Sequence, residues 1–182
     1  MTVSKAMLGV SLKQLVHRHQ APAAFSSSLK TGFGAMTAVA FLGWLTTVTS
    51  LPLLIAPFGA TSVLLFAIPK TPVAQPLNVV GGYLLAAGIS LSLAAVLPVQ
   101  WWSMGIGVGA VAFFMVWLGV VHPPAGGVPI LVFLSHPPPT FLLIPILAGS
   151  VGLVAIAMVV HRLPPRVSYP LKPETAAVIP TR

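Results

Sequence analysis

The sequence predicts an all-α protein, a polytopic transmembrane helical bundle in which two hydrophobic segments are broken. Apolar residues make up 57% of the 182 residues, and charged residues make up 5%. Between Thr31 and His161 the only Asp, Glu, Lys or Arg is Lys70, and such a stretch cannot cover a soluble core with a charged surface. Proline and glycine also interrupt two of the hydrophobic runs, in "PFGATS" and in "HPPAGG".

The distribution of charge predicts the orientation. Nine Lys and Arg against one acidic residue give a formal charge of +8, and most of the basic residues lie in the two tails. Positive charge that flanks membrane spans marks the cytoplasmic side. We therefore expect a multi-pass protein of the cell (inner) membrane with both termini in the cytoplasm, and we expect no nucleic-acid partner. The chain has no cysteine, and neither a metal site nor a cofactor is expected.

The chain divides into three regions. Residues 1–30 predict a basic amphipathic segment, because Leu8, Leu12 and Leu15 share one helical face. Residues 31–161 form the membrane domain. Residues 162–182 are basic and rich in proline, and because they have little to bury we expect a disordered tail.

Four hydrophobic runs are long enough to cross roughly 30 Å of hydrocarbon as helices: 32–50, 79–97, 103–121 and 141–160. Two further runs, 51–68 and 122–134, contain proline and glycine. The second of these reaches only about 20 Å as a helix, so both read as half-helices that begin at proline, which is well tolerated in the first turn of a helix.

A repeat relates the two broken runs. A shift of 67 residues lays "PFGATSVLLF" (57–66) on "PAGGVPILVF" (124–133), which predicts two halves, about 31–97 and 98–161. If the broken runs cross the membrane, each half has three crossings, the halves are inverted, and Lys70 lies on the side of the tails. If they turn back, four spans remain and Lys70 lies on the other side. We favour the inverted repeat, an arrangement that many transporters use.

The half-helix starts predict a site for an anion. A helix N-terminus presents free N–H groups and a positive dipole end, and glycine allows a ligand to approach the backbone. Irregular backbone at membrane depth is tolerated only inside protein or around a polar cavity. The membrane domain has no carboxylate, which favours an anion over a cation. The candidate substrate-binding residues are Pro57, Phe58, Gly59, Ala60, Thr61, Ser62, Asn78, His122, Pro123, Pro124, Ala125, Gly126 and Gly127.

Other roles are open for several of these residues. His122 could bind the anion as a donor or, once protonated, as a counter-charge; it could equally hydrogen-bond a carbonyl that proline frees. Thr61 and Ser62 could simply bond to their own helix. Lys70 reads as an interfacial anchor, and His136 reads as a loop histidine.

Three motifs carry a family resemblance: "HPPAGG" (122–127), "APFGATSVLLF" (56–66) and "QPLNVVGGYL" (75–84). Together they resemble the HPP family of integral membrane proteins, although Gly127 stands where that family usually has Ala or Thr. The resemblance implies four or five membrane helices. Through members from cyanobacteria and chloroplasts it also implies nitrite transport.

These observations predict a membrane transporter or channel for nitrite or a similar small monovalent anion. A pore for water or small neutral solutes is one alternative, and a membrane scaffold or regulatory subunit without transport activity is another. An enzyme is not expected, because the membrane domain lacks the groups for acid–base chemistry. Small residues, among them Gly82, Gly105 and Gly109, could serve a homodimer or packing within one protomer.

Overall fold

A computed structural model describes residues 16–172 of the chain, and all regular secondary structure in this range is helical. Short 3-10 turns occupy Pro72–Ala74, Pro123–Gly127 and Pro139–Leu142, and a π-helical turn occupies Leu143–Leu147. The α-helices with both ends described are α1 (Phe25–Thr49), α2 (Pro57–Ala67), α3 (Pro76–Ala94), α4 (Trp101–Leu118), α5 (Val128–Ser135) and α6 (Ala148–Arg162).

Within residues 16–172, four segments are long and apolar enough to cross a membrane: Phe25–Thr49, Pro76–Ala94, Trp101–Leu118 and Pro139–Arg162. The two apolar helices Pro57–Ala67 and Pro123–Ser135 are shorter. Long and short helices therefore follow one another in the order that the sequence predicts. Helix α1 begins earlier than residue 32 and takes in part of the region assigned to the N-terminal segment. Most of that amphipathic segment, residues 1–15, lies outside the described residues.

Local chemistry explains where several helices begin and end. Helices α2 and α3 each begin at a proline, whose missing N–H is no loss in the first turn. Helix α4 ends at Gly119, whose φ of 69° is left-handed, a conformation that glycine adopts at little cost. His136, after α5, is also left-handed with φ of 46° and is exposed, in accord with a loop histidine.

The last span differs from the continuous helix predicted over 141–160. Ile144 has non-helical dihedral angles, φ −136° and ψ 117°, and regular α-helix resumes only at Ala148. The reason is Pro145, which disfavours helical geometry in the residue before it.

The tails mark one end of the bundle. Lys30 Nζ donates hydrogen bonds to the carbonyl oxygens of Leu163 (2.7 Å) and Pro165 (2.6 Å). The start of α1 and the end of α6 therefore lie together, at what we call the tail side. Helix α2 runs back along α1 toward this side: the Thr31 hydroxyl donates to Phe66 O at 3.0 Å.

The second broken segment runs the other way. The Asn78 side chain, near the tail-side start of α3, donates to Val121 O at 3.1 Å. At the far end, His136 lines a cavity with Leu91 and Ala94, from the last turns of α3. Segment 119–136 thus leads from the tail side to the opposite side, whereas segment 50–68 leads from the opposite side to the tail side.

The C-terminal segment is ordered as far as the structure describes it. The Tyr169 side chain is buried, and its hydroxyl donates to Ala74 O at 2.9 Å. Leu171 N donates to Gln75 Oε1, also at 2.9 Å. Residues 163–172, which we call the strap, therefore pack across the tail side and are not disordered as the sequence predicts. The reason is Tyr169, because its apolar ring is buried and its hydroxyl bonds the Ala74 carbonyl. Residues 173–182 lie outside the described range.

Gly107 allows α5 to pack close to α4. A Cβ atom added to Gly107 on α4 would lie 2.9 Å from Pro129 Cβ, so α5 packs tightly there. Gly105 and Gly109, by contrast, face open space. The packing face of α4 within the protomer is thus formed around Gly107, not around the two glycines singled out from the sequence, because only Gly107 lies on the side of α4 that meets α5.

Candidate functional site

A chain of three polar side chains, which we call the relay, lies between the half-helices. Tyr83 Oη lies 2.7 Å from Thr61 Oγ1, and Thr61 Oγ1 lies 2.8 Å from His122 Nε2. On the other side of the imidazole, His122 Nδ1 lies 2.8 Å from Val73 O. Helices α2 and α3 and the start of the second broken segment each contribute one side chain, and the Pro72–Ala74 turn contributes the carbonyl that accepts from the imidazole.

The carbonyl of Val73 fixes the direction of every hydrogen bond in the relay. A carbonyl oxygen can only accept, so Nδ1 carries the hydrogen and donates it to Val73 O. In a neutral imidazole Nε2 is then an acceptor, and Thr61 must donate to it. The Thr61 oxygen in turn accepts from the Tyr83 hydroxyl. Each side-chain hydrogen of the relay is therefore already used.

The relay is closed to solvent in this conformation. Thr61, Tyr83 and His122 are all fully buried. The Phe58 ring packs edge-on against Tyr83, with centroids 5.0 Å apart. On α3, a Cβ added to Gly82 would lie 2.8 Å from His122 Cβ, so only glycine lets the helix approach this close.

The two half-helix starts come together, as the sequence predicts. Pro57 opens α2, and Gly127 ends the turn that leads into α5. A Cβ atom added to Gly127 would lie 3.6 Å from Pro57 Cγ. The first turns of the two helices are therefore in van der Waals reach of each other.

The backbone N–H groups at these starts are less available than the sequence predicts. Phe58 N donates to Ile55 O at 3.0 Å, and Gly59 N donates to Ala56 O at 3.1 Å. In the second segment Ala125 N donates to His122 O at 3.0 Å. The chain forms a tight turn just before each helix. These turns therefore provide acceptors for backbone N–H groups that the sequence predicts to be free.

The remaining candidate residues lie outside the relay. Asn78 anchors the chain just before His122 through its bond to Val121 O, and buried Ala125 packs in the core. Ser62 bonds to Phe58 O of its own helix at 2.9 Å, which is the structural role left open for it. Pro124, Gly126 and Gly127 are half-buried, whereas Gly59, Ala60 and Pro123 are exposed.

Neither Tyr83 nor the Val73 carbonyl was identified from the sequence as part of the site. Tyr83 carried a usable signal, because it is the only tyrosine between Thr31 and His161, and a buried tyrosine hydroxyl normally has a hydrogen-bond partner. Val73 carried none, because it acts through its backbone carbonyl. His161, another buried histidine, donates from Nε2 to Leu65 O at 2.9 Å, while its Nδ1 has no partner among the described residues.

Comparison with known proteins places the chain in a family. The model of the family described as "HPP, transmembrane region" matches residues 6–170. Two curated transmembrane proteins of Dictyostelium discoideum are 29% and 27% identical over 126 and 127 residues, which is 65% of this chain in each case. The matches cover 44% and 40% of those relatives, so the chain spans less than half of their length. No solved structure matches. The chain, a membrane protein with several apolar helices, therefore belongs to the HPP transmembrane family.

Proposed function

We propose that the protein carries a small monovalent anion across the membrane, with nitrite as the first substrate to test. One observation supports this above the others: a buried polar relay, His122–Thr61–Tyr83, lies where two half-helices begin inside a largely apolar domain. Polar and ionisable groups inside a membrane domain are costly and mark substrate pathways. Nitrite itself comes from the resemblance to characterised family members, and it is small enough for a site with few donors.

We further propose that each broken segment crosses the membrane, giving two inverted halves with both termini in the cytoplasm. The opposite directions of segments 50–68 and 119–136 support this. A pair of contacts supports it too: a Cβ added to Gly82 would lie 3.1 Å from Val120 O, and one added to Gly149 would lie 3.1 Å from Leu53 O. Both members of this pair are related by the same shift of 67 residues.

In this proposal the structure corresponds to an occluded state. The relay has no exposed surface, so a substrate reaches it only after the half-helices separate. Residues at the two starts that are half-buried here, Pro57 and Gly127, would line the opened path. The proposal assigns the protein no catalytic role and no cofactor.

Reconstitution into liposomes tests the function. Purified protein should accelerate nitrite uptake over protein-free vesicles, and His122→Ala should lower that uptake several-fold while the variant still inserts into membranes. Nitrate, chloride and water are measured side by side. Water flux without anion flux would favour a pore for neutral solutes, and no flux of any kind would favour a scaffold or regulatory subunit.

A further inference from the structure

We infer that His122 takes up one proton when the anion binds, so that substrate and proton enter the site together. This inference rests on the proposed function and names its coupling. It follows from the way in which the relay uses its hydrogens. In the neutral state described above, no hydrogen of Thr61, Tyr83 or His122 is left to donate to an anion.

Protonation reverses the relay without breaking it. A proton added at His122 Nε2 turns that atom from acceptor to donor, so Nε2–H now donates to Thr61 Oγ1. The Nδ1–H bond to Val73 O is unchanged. Thr61 no longer needs to donate to the imidazole, and one hydroxyl hydrogen, from Thr61 or from Tyr83, becomes available. The proton added to the imidazole thus releases one donor for the substrate, and no covalent bond other than Nε2–H is formed.

Both ring nitrogens have a hydrogen-bond partner in either state, which is what a buried titrating histidine requires. A buried polar atom that loses its hydrogen-bond partner destabilises the protein, and the relay avoids that cost in both states. His161 shows the contrast: its Nδ1 has no partner among the described residues, so its surroundings do not offer the same reversal.

Charge balance points the same way. An unpaired anion is very costly to bury in an apolar interior, and a protonated imidazole beside it makes the pair neutral. The elements packed around His122 offer few other ionisable groups. Tyr83 on α3 touches the imidazole, with ring centroids 5.2 Å apart, but tyrosine can only lose a proton. Helices α4 and α5 contribute no titratable side chain. Three other titratable residues lie at the tail side: Lys70, which is exposed, His161 on α6, and Tyr169, whose hydroxyl donates to Ala74 O.

Proton uptake on ligand binding is the direct test. Sodium nitrite is added to detergent-purified full-length protein in weak buffer near pH 7, and the pH change is recorded against protein-free buffer. We expect uptake approaching one proton per bound nitrite. Thr61→Ser, which keeps the hydroxyl, should preserve the uptake, and Thr61→Val and His122→Gln should abolish it. Each variant is first compared with the parent protein by size-exclusion chromatography and circular dichroism.

Transport separates this inference from the function on which it rests. Nitrite uptake into liposomes is measured at about pH 5 and about pH 8, the range in which histidine titrates, with the membrane potential set by a potassium gradient and valinomycin. Uptake above that of protein-free liposomes that is faster at the lower pH and insensitive to potential supports coupling. Uptake driven by potential, with no proton taken up on binding, overturns the coupling and leaves the transport function standing. No uptake at either pH overturns both.

Discussion

The two broken segments share a backbone plan but differ in chemistry. A shift of 67 residues places His122 on Ile55, Thr61 on Val128, and Tyr83 on Ser150. In the first set of positions the side chains form a hydrogen-bonded relay. In the second set, Ile55 and Val128 are buried apolar residues, and Ser150 Oγ donates within its own helical segment to Leu147 O at 3.2 Å.

This difference shows that a broken segment does not need a polar relay to pack. Ile55 stands just before α2, as His122 stands just before the turn that opens the second half-helix, and it is only 9% exposed. The kink before α2 is thus accommodated with an aliphatic side chain. The relay, which joins Thr61 and Tyr83 of the first half to His122 of the second, is therefore not a requirement of the fold, which supports a role in binding.

Exchanging the residues at the paired positions 61 and 128 should have the largest effect on stability. Thr61→Val removes the partner of two buried polar atoms, His122 Nε2 and the Tyr83 hydroxyl, at a cost of roughly 1–3 kcal/mol each. The counterpart change, Val128→Thr, should cost much less, because a helical threonine can bond to its own backbone. Thermal unfolding of both purified variants checks this. Equal losses would show that the two halves are alike after all.

Gly82 and Gly149, which the shift of 67 residues relates, should respond alike to substitution by alanine. Gly149→Ala places a Cβ atom against the buried Phe58 ring, and Gly82→Ala places one 2.8 Å from His122 Cβ. Overpacking of this kind costs roughly 1–3 kcal/mol. Gly88→Ala is the matched control, since nothing lies within 4 Å of a Cβ atom there. The melting temperature should fall for the first two variants only, and a fall for Gly88→Ala would remove the link to close packing.

The smallest effect is expected at the glycines of the two helix starts. Nothing lies within 4 Å of a Cβ atom added to Gly59 or Gly126, and neither has a positive φ. Alanine at either position should stabilise the protein by roughly 0.4–1 kcal/mol, because it restricts the unfolded chain. Thermal unfolding of both variants checks this. Loss of nitrite uptake in variants that remain folded would show that the substrate occupies the open space at these glycines.

Much of this architecture could be predicted from the sequence. The half-helix α2 begins at Pro57 as expected, because proline in a hydrophobic run has few other stable positions. The approach of Pro57 to Gly127 also followed from the broken runs. His122 was the natural candidate because polar residues are so rare in the membrane domain.

The rest could not be predicted because it depends on tertiary contacts. Val73 contributes a carbonyl, which every residue possesses, and only folding brings it to His122. The turns that occupy Phe58 N and Ala125 N depend on the direction from which the chain enters each helix. The strap was missed because its prolines resemble those of a disordered tail, and only Tyr169, with its bond to Ala74 O, distinguishes it.

The Tyr169 bond has a practical consequence for anyone who shortens this protein. Ala74 follows Val73 directly, so the Tyr169 hydroxyl anchors the peptide next to the one whose carbonyl orients the His122 imidazole. A version cut after Arg162 would retain every hydrophobic helix and could still be purified, yet its histidine would rest on a loosened support. Proteolysis of the strap during preparation would therefore loosen the His122 imidazole without leaving any trace in helix content.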